Sequence, residues 1–210
     1  MNEERNNNRS KLILLSGPSG SGKTTIMHSL TNKYNIVPLS YYTTRSQRND
    51  DIVSLFHYIS LNEYINMYNN GNFALSFGNH NNRYGVSYDE LNSNVAERRD
   101  MILAISYKNY FDILNKDINN IVDIHLIILT FNNIENMVRK RLLERNPNID
   151  KEYLDMKILY AIKENQEYFD LIKPYANCII NTDEVTIDET ESLVYNAVYG
   201  EQNPILRRLK

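Results

Sequence analysis

The residues best suited to chemistry lie near the start of the chain, where positions 17–24 have the sequence GPSGSGKT. This sequence matches the pattern G-x-x-x-x-G-K-[ST] at every fixed position. Glycines let consecutive backbone N–H groups turn toward one point, and a helix that begins there adds its unpaired N–H groups. Lys23 supplies a positive charge for the β- and γ-phosphates, and the hydroxyl of Thr24 suits Mg²⁺. The pattern predicts a site for ATP and its Mg²⁺ ion.

The segments on either side of this motif have the order that such a site requires. Residues 11–16 (KLILLS) form a short apolar run that is typical of a buried strand. A helical stretch follows from Lys23 to about Tyr34. The residues predicted to bind the nucleotide are Gly17, Ser19, Gly20, Ser21, Gly22, Lys23, Thr24 and Thr25, with Thr24 as the metal ligand.

The rest of the chain alternates between apolar runs and helical patterns. Strands are predicted at residues 35–40, 101–106, 121–130 and 176–181, and helices at residues 107–115, 132–145, 151–172 and 186–199. This alternation favours right-handed crossovers and a parallel sheet covered on both faces, so the predicted fold class is α/β. Two polar stretches, 42–90 and 145–157, interrupt the alternation; the first has a helix near 61–68 and short strands around 73–77.

Composition limits the class of protein. A chain of 210 residues suits one compact domain, and its net charge of −3 gives no general attraction to nucleic acid or to an anionic membrane. The single cysteine, Cys178, excludes an intrachain disulfide. No apolar run approaches the ~18–20 residues that span a bilayer, and the polar first residues do not resemble a signal peptide. We therefore expect a cytoplasmic protein whose partner is a small molecule.

Further motifs resemble the guanylate-kinase-like family of P-loop kinases over nearly the whole chain. The family pattern T-T-R-x-x-R is matched by residues 43–48 (TTRSQR), and Asp51 stands where the family has an acidic residue. The other matches are FHYIS (56–60) to Y-H-F-V-S, GNF (71–73) to G-x-F, YGV (84–86) to Y-G-[TSV] and RLLER (141–145) to R-L-x-x-R.

The resemblance implies a three-layer P-loop kinase fold with a parallel central sheet, a small mixed α/β region that binds the acceptor, and a lid. One domain then covers residues 11–200, between a disordered tail at 1–10 and a second tail at 201–210. Within the domain, the predicted core is 11–41, 95–140 and 158–200, the acceptor-binding region is 42–94, and the lid is 141–157.

The resemblance also implies roles for charged side chains. Arg45, Arg48 and Tyr84 correspond to the family's clamp on the acceptor's phosphate, and two arginines three positions apart are able to converge on one phosphate. Arg145 and Lys157 correspond to lid cations that close over ATP; Lys157 replaces an arginine, so it keeps the charge and loses the planar fork. The predicted catalytic residues are Lys23, Arg45, Arg145 and Lys157.

Several positions depart from the family's pattern for reading guanine. Tyr41 stands in place of a serine, and Leu75 in place of a glutamate. Residues 103–106 are LAIS where the family has L-D-I-D, and Phe56 replaces a tyrosine that touches phosphate. Leucine accepts no hydrogen bond from guanine, so recognition by the usual groups is not expected. The candidate acceptor-binding residues are Arg45, Arg48, Tyr84, Tyr41, Leu75 and Ser106.

Three hypotheses remain open for the function. The middle of the chain, with YTTR at 42–45, FALSF at 73–77 and YGV at 84–86, resembles ribose 1,5-bisphosphate phosphokinases. The leading hypothesis is therefore a kinase for a sugar phosphate such as ribose 1,5-bisphosphate, or for an unusual nucleoside monophosphate. The alternatives are a divergent guanylate kinase that reads GMP with Tyr41, Ser76 or Ser106, and a module that binds without catalysis. Either a monomer or a homodimer is compatible with the sequence.

Overall fold

The computed structural model describes residues 9–48, 51–79, 81–114 and 117–200. These residues form two compact units. The first contains the described residues of Met1–Leu12, Ile36–Leu103 and Asn109–Ile124. The second contains those of Ile13–Asn35, Ala104–Lys108 and His125–Lys210.

Strands and helices alternate along much of the chain. The strands are β1 Lys11–Ser16, β2 Val37–Pro38, β3 Tyr41–Thr43, β4 Phe56–Tyr58, β5 Phe73–Asn79, β6 Asn82–Ser87, β7 Met101–Ile105, β8 Asp123–Thr130 and β9 Cys178–Asn181. The helices are α1 Lys23–Tyr34, α2 Leu61–Asn69, α3 Tyr88–Ala96, α4 Tyr107–Leu114, α5 Ile134–Arg145, α6 Lys151–Ile172 and α7 Ile187–Tyr199.

The larger sheet has the strand order β2-β7-β1-β8-β9. Strand β2 runs parallel to β7, and β8 runs parallel to β9. Residues 12–15 of β1 are completely buried, as expected for a central strand without an alternating pattern. The predicted α/β class with a parallel central sheet is confirmed.

The smaller sheet, with the order β4-β3-β6-β5, belongs to the first unit. Strand β3 pairs in parallel with β4 and antiparallel with β6, and β6 pairs antiparallel with β5. The sequence pattern predicts short strands around 73–77, within β5, but it does not predict β3, β4 or β6. Two of these strands have only three residues, which is too short for a periodic pattern to be recognised.

Helix α1 ends at Tyr34, followed by a C-cap residue with a left-handed backbone. Asn35 has a left-handed backbone (φ 57°), and its N–H donates to the carbonyl of Thr31. The predicted strand at 35–40 is therefore reduced to Val37–Pro38. Elsewhere the helix starts follow capping rules: Ser60 and Thr186 each form a capping box with the glutamate three positions later.

Helices α5 and α6 form a hairpin in the second unit. Val138 and Leu142 of α5 pack with Leu154, Ile158 and Ala161 of α6 in one buried cluster. Arg139 also reaches across the hairpin to Asp155 at 3.2 Å, but both side chains are exposed, so this ion pair adds little stability. The predicted lid, residues 141–157, is the end of α5, the start of α6 and the turn between them.

No helix in the described ranges is both long enough and apolar enough to cross a membrane.

Candidate active site

The glycine-rich turn after β1 is shaped by close backbone packing in the second unit. Gly17 has φ 151°, and a Cβ placed on it would lie 2.1 Å from the carbonyl oxygen of Leu129 in β8. No side chain fits in that space. The turn therefore lies tightly against the end of β8.

The first turn of α1 begins without a side-chain cap from its N-cap residue. Gly22, with φ 88°, is the N-cap residue; it makes no side-chain cap hydrogen bond, and the first turn contains no acidic residue. The N–H groups at this helix end and the positive end of its dipole therefore have no acidic side chain within the first turn. This arrangement suits the phosphates of a nucleotide.

Lys23 folds back over the turn that precedes it. Its Nζ donates to the carbonyl oxygens of Gly17 at 2.6 Å and Pro18 at 2.8 Å. Desolvation lowers the pKa of Lys23 to about 8, although the negative charge of Glu164 on α6 acts in the opposite direction. The ammonium group thus lies against the loop carbonyls, and a nearby anion would stabilise its charged form.

Two serine hydroxyls are buried beside this loop. The Oγ atoms of Ser16 and Ser21 are buried, and neither has a hydrogen-bond partner among the residues that the structure describes. Buried polar atoms are normally paired, so these two hydroxyls are exceptions at the loop.

Thr24 lies exposed in the first turn of α1. Within the described ranges, His, Cys, Asp and Glu side chains form no group of three or more that could hold a metal ion. Mg²⁺ characteristically keeps several waters and takes oxygens from phosphates. The exposed hydroxyl of Thr24 is the oxygen ligand that the sequence predicts for Mg²⁺ at this loop.

The helical hairpin α5–α6 presents cations in the same unit. Arg141 packs closely against Gly20: a Cβ added to Gly20 would lie 3.0 Å from the Cβ of Arg141. Arg145 is in the last turn of α5, and the Nζ of Lys157 lies 5.3 Å from the ring centre of Tyr153. The sequence patterns assigned no role to Arg141, whose Cβ and Cγ lie against Gly20 of the phosphate loop.

In the first unit, Arg45 is fixed by a buried carboxylate. Its Nη1 and Nη2 donate to the two oxygens of Asp51 at 2.6 and 2.5 Å, and its Nη1 also donates to the carbonyl of Ser46. The guanidinium stacks on Phe56, with 4.4 Å from Cζ to the ring centre, and lies 5.7 Å from the ring of Tyr58. We call Arg45, Asp51, Phe56 and Tyr58 the Arg45 clamp.

The hydrogen bonds of Arg45 leave one edge of the guanidinium available. Of its five N–H groups, the bonds to Ser46 and Asp51 occupy both on Nη1 and one on Nη2. The Nε–H and the second Nη2–H have no partner among the described residues. These two donors lie on the same edge, which matches two oxygens of a phosphate.

The charges of the Arg45 clamp are strongly coupled. Burial by itself raises the pKa of Asp51, but hydrogen bonds from Arg45, Tyr58 and the N–H of Arg48 lower it to about 2. Burial by itself lowers the pKa of Arg45, yet Asp51 outweighs burial and, with smaller effects from Tyr84 and Tyr58, raises it. Both groups therefore remain charged across the physiological pH range.

Aromatic rings surround the clamp on one face of the smaller sheet. Tyr41 stacks on Phe56 with ring centres 5.4 Å apart, and Phe77 stacks on Tyr84 at 6.0 Å. Tyr41 also meets Tyr84 edge-on at 6.2 Å. The structure thus brings three predicted acceptor-binding residues, Tyr41, Arg45 and Tyr84, into one region.

The other predicted acceptor-binding residues are placed differently. Leu75 is completely buried and is paired across the sheet with Val86. The side chain of Arg48 is exposed, while its backbone N–H donates to Asp51. Ser76 lies 2.9 Å from the hydroxyl of Tyr64, and Ser106 belongs to the second unit.

The sequence patterns did not predict that Tyr58 and Phe77 belong to the aromatic face of the smaller sheet. Tyr58 occurs in the FHYIS segment and Phe77 in the FALSF segment, both of which the sequence analysis quoted. An alternation of aromatic residues over short strands was the available signal, because residues two apart on a strand lie on the same face.

The parallel sheet, the strand–turn–helix phosphate loop and the hairpin with its cations define a P-loop phosphotransferase. Comparison with known proteins makes the class more specific. The model of the family "Guanylate kinase" matches residues 9–178. The chain belongs to the guanylate kinase family, and the resemblance inferred from its motifs is confirmed.

Individual relatives agree with this assignment. A guanylate kinase of Mycoplasmoides gallisepticum is 28% identical over 195 residues, which cover 90% of this chain and 93% of the relative. One from Helicobacter pylori is 29% identical over 201 residues, covering 90% of each chain. The crystal structure of guanylate kinase from Anaplasma phagocytophilum aligns with a TM-score of 0.66 at 19% identity and covers 93% of this chain and 87% of that one. This structural likeness supports the fold.

Proposed function

We propose that this chain transfers the γ-phosphoryl group of ATP to GMP, giving ADP and GDP. The observation that carries the proposal is the Arg45 clamp, which holds a buried guanidinium with a two-donor edge left for a phosphate. It occurs in a chain of the guanylate kinase family with an intact phosphate loop. The loop accounts for the donor and the clamp for the acceptor.

In this proposal the second unit binds ATP. The loop N–H groups and the start of α1 bind the β- and γ-phosphates, and Lys23 exchanges its carbonyl partners for phosphate oxygens. Thr24 would hold Mg²⁺, which neutralises charge on the phosphates when bound. Arg141, Arg145 and Lys157 on the hairpin supply further positive charge. Preorganised donors of this kind stabilise the charge that spreads over the phosphoryl group during transfer.

The first unit binds the acceptor. The free edge of Arg45 binds two oxygens of the acceptor's phosphate. Tyr84 lies close enough to Arg45 to raise its pKa. On the aromatic face, Tyr41 and Phe77 are buried, whereas Tyr84 is half-buried and is the ring against which a base would stack. A sugar bisphosphate has no base to use this ring.

The acceptor is therefore revised from the leading sequence hypothesis. No relative described above supports ribose 1,5-bisphosphate, and both curated relatives are guanylate kinases. The substitution of Leu75 for the family's glutamate still matters, because a buried leucine offers no acceptor to guanine. We expect GMP to be preferred over AMP by no more than about tenfold, since the buried Leu75 stands in place of the glutamate that would accept from the guanine N–H groups.

A coupled assay of ADP release tests the proposal. The purified chain is supplied with ATP·Mg²⁺ and, in separate reactions, with GMP, AMP and ribose 1,5-bisphosphate. We expect turnover with GMP, weaker turnover with AMP and none with the sugar bisphosphate. Turnover with the sugar bisphosphate in the absence of turnover with GMP would contradict the proposal. Lys163→Ala, at a surface position whose side chain is 66% exposed, is the matched control for lysine variants.

A further inference from the structure

The hydroxyl of Tyr58 has a use in this chain that its motif does not reveal. The segment at 56–60 is FHYIS, so the tyrosine follows the histidine where the resembling pattern Y-H-F-V-S has it before. Phe56 and Tyr58 are two residues apart on β4, so both rings lie on the same face, 5.9 Å apart and nearly parallel. The hydroxyl of Tyr58 donates to Oδ2 of Asp51 at 2.6 Å.

The carboxylate of Asp51 is surrounded by donors. Oδ1 accepts from Nη2 of Arg45, while Oδ2 accepts from Nη1 of Arg45, the N–H of Arg48 and the hydroxyl of Tyr58. The side chains of Arg45 and Asp51 are only 6% and 7% exposed. An ion pair that is buried and bonded at every oxygen holds one geometry much more firmly than a surface pair.

The two rings complete the constraint on Arg45. Phe56 lies against the face of the guanidinium, and Tyr58 lies next to it on the same strand. Ring contacts restrict the tilt of the guanidinium plane, and the bidentate bond to Asp51 restricts rotation within that plane. Together they determine the direction in which the Nε–Nη2 edge points.

From this arrangement we infer that Tyr58 and Asp51 are positioning residues for the acceptor's phosphate: they touch Arg45, not the substrate, and aim its free edge. The inference rests on the proposed function, in which that edge binds the phosphate of GMP. It predicts a selective defect. Loosening Arg45 weakens acceptors that carry a phosphate, but it does not affect an acceptor analogue that lacks one, and it leaves unchanged the binding of ATP, which the proposal assigns to the phosphate loop.

Tyr58→Phe is the principal test, because it removes one hydroxyl and keeps the ring. We expect the Kd for GMP and the KM for GMP to rise by about 5- to 20-fold, which is less than the full effect of one hydrogen bond to a charged group because Tyr58 acts on the ligand only through Asp51 and Arg45. The Kd for guanosine and the KM for ATP should stay within about twofold of the wild type, since neither ligand depends on Arg45. Tyr68→Phe, in α2 of the same unit and 52% exposed, is the control and should change none of these values.

Asp51 provides a second, independent variant. Asp51→Asn retains the shape but removes the charge, and should raise the Kd for GMP more than Tyr58→Phe does. Asp51→Glu restores the charge and should recover part of the affinity, which a purely structural role would not predict. Circular dichroism and thermal unfolding check that each variant is folded.

Titration calorimetry with GMP and guanosine, together with steady-state kinetics, decides the inference. An unchanged Kd for GMP in Tyr58→Phe, or an equal loss for GMP and guanosine, would overturn it. A failure of the proposed function has a different signature. In that case the wild type does not phosphorylate GMP in the coupled assay, while the phosphate-selective loss in Tyr58→Phe is still measured by calorimetry. A defect in Tyr58→Phe that is confined to kcat would also overturn the inference.

Discussion

The phosphate loop and the Arg45 clamp prepare for anions in different ways. In the loop, the donors proposed to bind an anion are backbone N–H groups and a helix end, and the Lys23 ammonium donates to nearby carbonyls. In the clamp, the donor is a side chain fixed by a second, oppositely charged side chain, Asp51. A backbone site depends on a few consecutive residues, whereas a side-chain site depends on partners brought together by folding. Substitutions should therefore affect the two sites in different ways.

The largest effect is expected from Lys23→Ala in the loop. Removing a preorganised charge at the transferring phosphoryl group should lower kcat by about 10²- to 10³-fold. The fold should be retained, because among the described residues the hydrogen bonds of the ammonium go to two loop carbonyls. ADP release with GMP and the circular dichroism spectrum measure the two properties. Wild-type turnover in Lys23→Ala would remove the loop from the mechanism, and Lys163→Ala serves as the reference.

Arg45→Ala should harm both binding and stability, unlike Lys23→Ala. GMP and AMP should each lose affinity by a similar factor of about 30- to 100-fold, because both have the same phosphate. The buried Asp51 would lose its partner, so the free energy of unfolding should fall by about 3–5 kcal/mol. Calorimetry and urea denaturation test the two parts. An effect on GMP alone would show that Arg45 recognises the base.

The backbone character of the loop is tested by two glycines with different surroundings. Both Gly17→Ala and Gly22→Ala put a side chain on a backbone with positive φ, at a cost of about 1–2 kcal/mol. Only at position 17 would the new Cβ meet the carbonyl oxygen of Leu129, at 2.1 Å, while at position 22 nothing lies within 4 Å. Gly17→Ala should therefore be the less stable variant and the weaker binder of ATP. Equal unfolding midpoints in urea would argue against the close packing at Gly17.

The smallest expected effect is the pH dependence of stability that Asp51 contributes. The pKa of Asp51 is lowered from 3.8 to about 2 in the folded chain, so its contribution to stability is present above pH 4. It is lost as the pH falls from about 4 to 2, and amounts to about 2 kcal/mol. Urea unfolding between pH 6 and pH 2 should show this loss in the wild type and a flatter profile in Asp51→Asn. Identical profiles would show that Asp51 does not supply this dependence.

Features formed by consecutive residues were predicted from the sequence, whereas features formed by partners brought together on folding were not. The strand at 11–16 and the helix starting at Lys23 were predicted with the bounds that the structure has, because a continuous apolar run and a helical pattern are local signals. The long helix Lys151–Ile172 was predicted equally well. The smaller sheet was largely missed, since β3 and β4 obtain their hydrogen bonds from one another and from β6 rather than from their own segments.

The sequence by itself determined the phosphate loop, the α/β alternation and the family, because each depends on residues that are close together in the chain. Only the tertiary structure decided that Asp51 pairs with Arg45, that the hydroxyl of Tyr58 completes this pair, and that Leu75 lies inside the core. A hydrogen bond or a buried position is set by the partners that folding supplies. Residue type and spacing do not specify those partners when the strands concerned are three residues long.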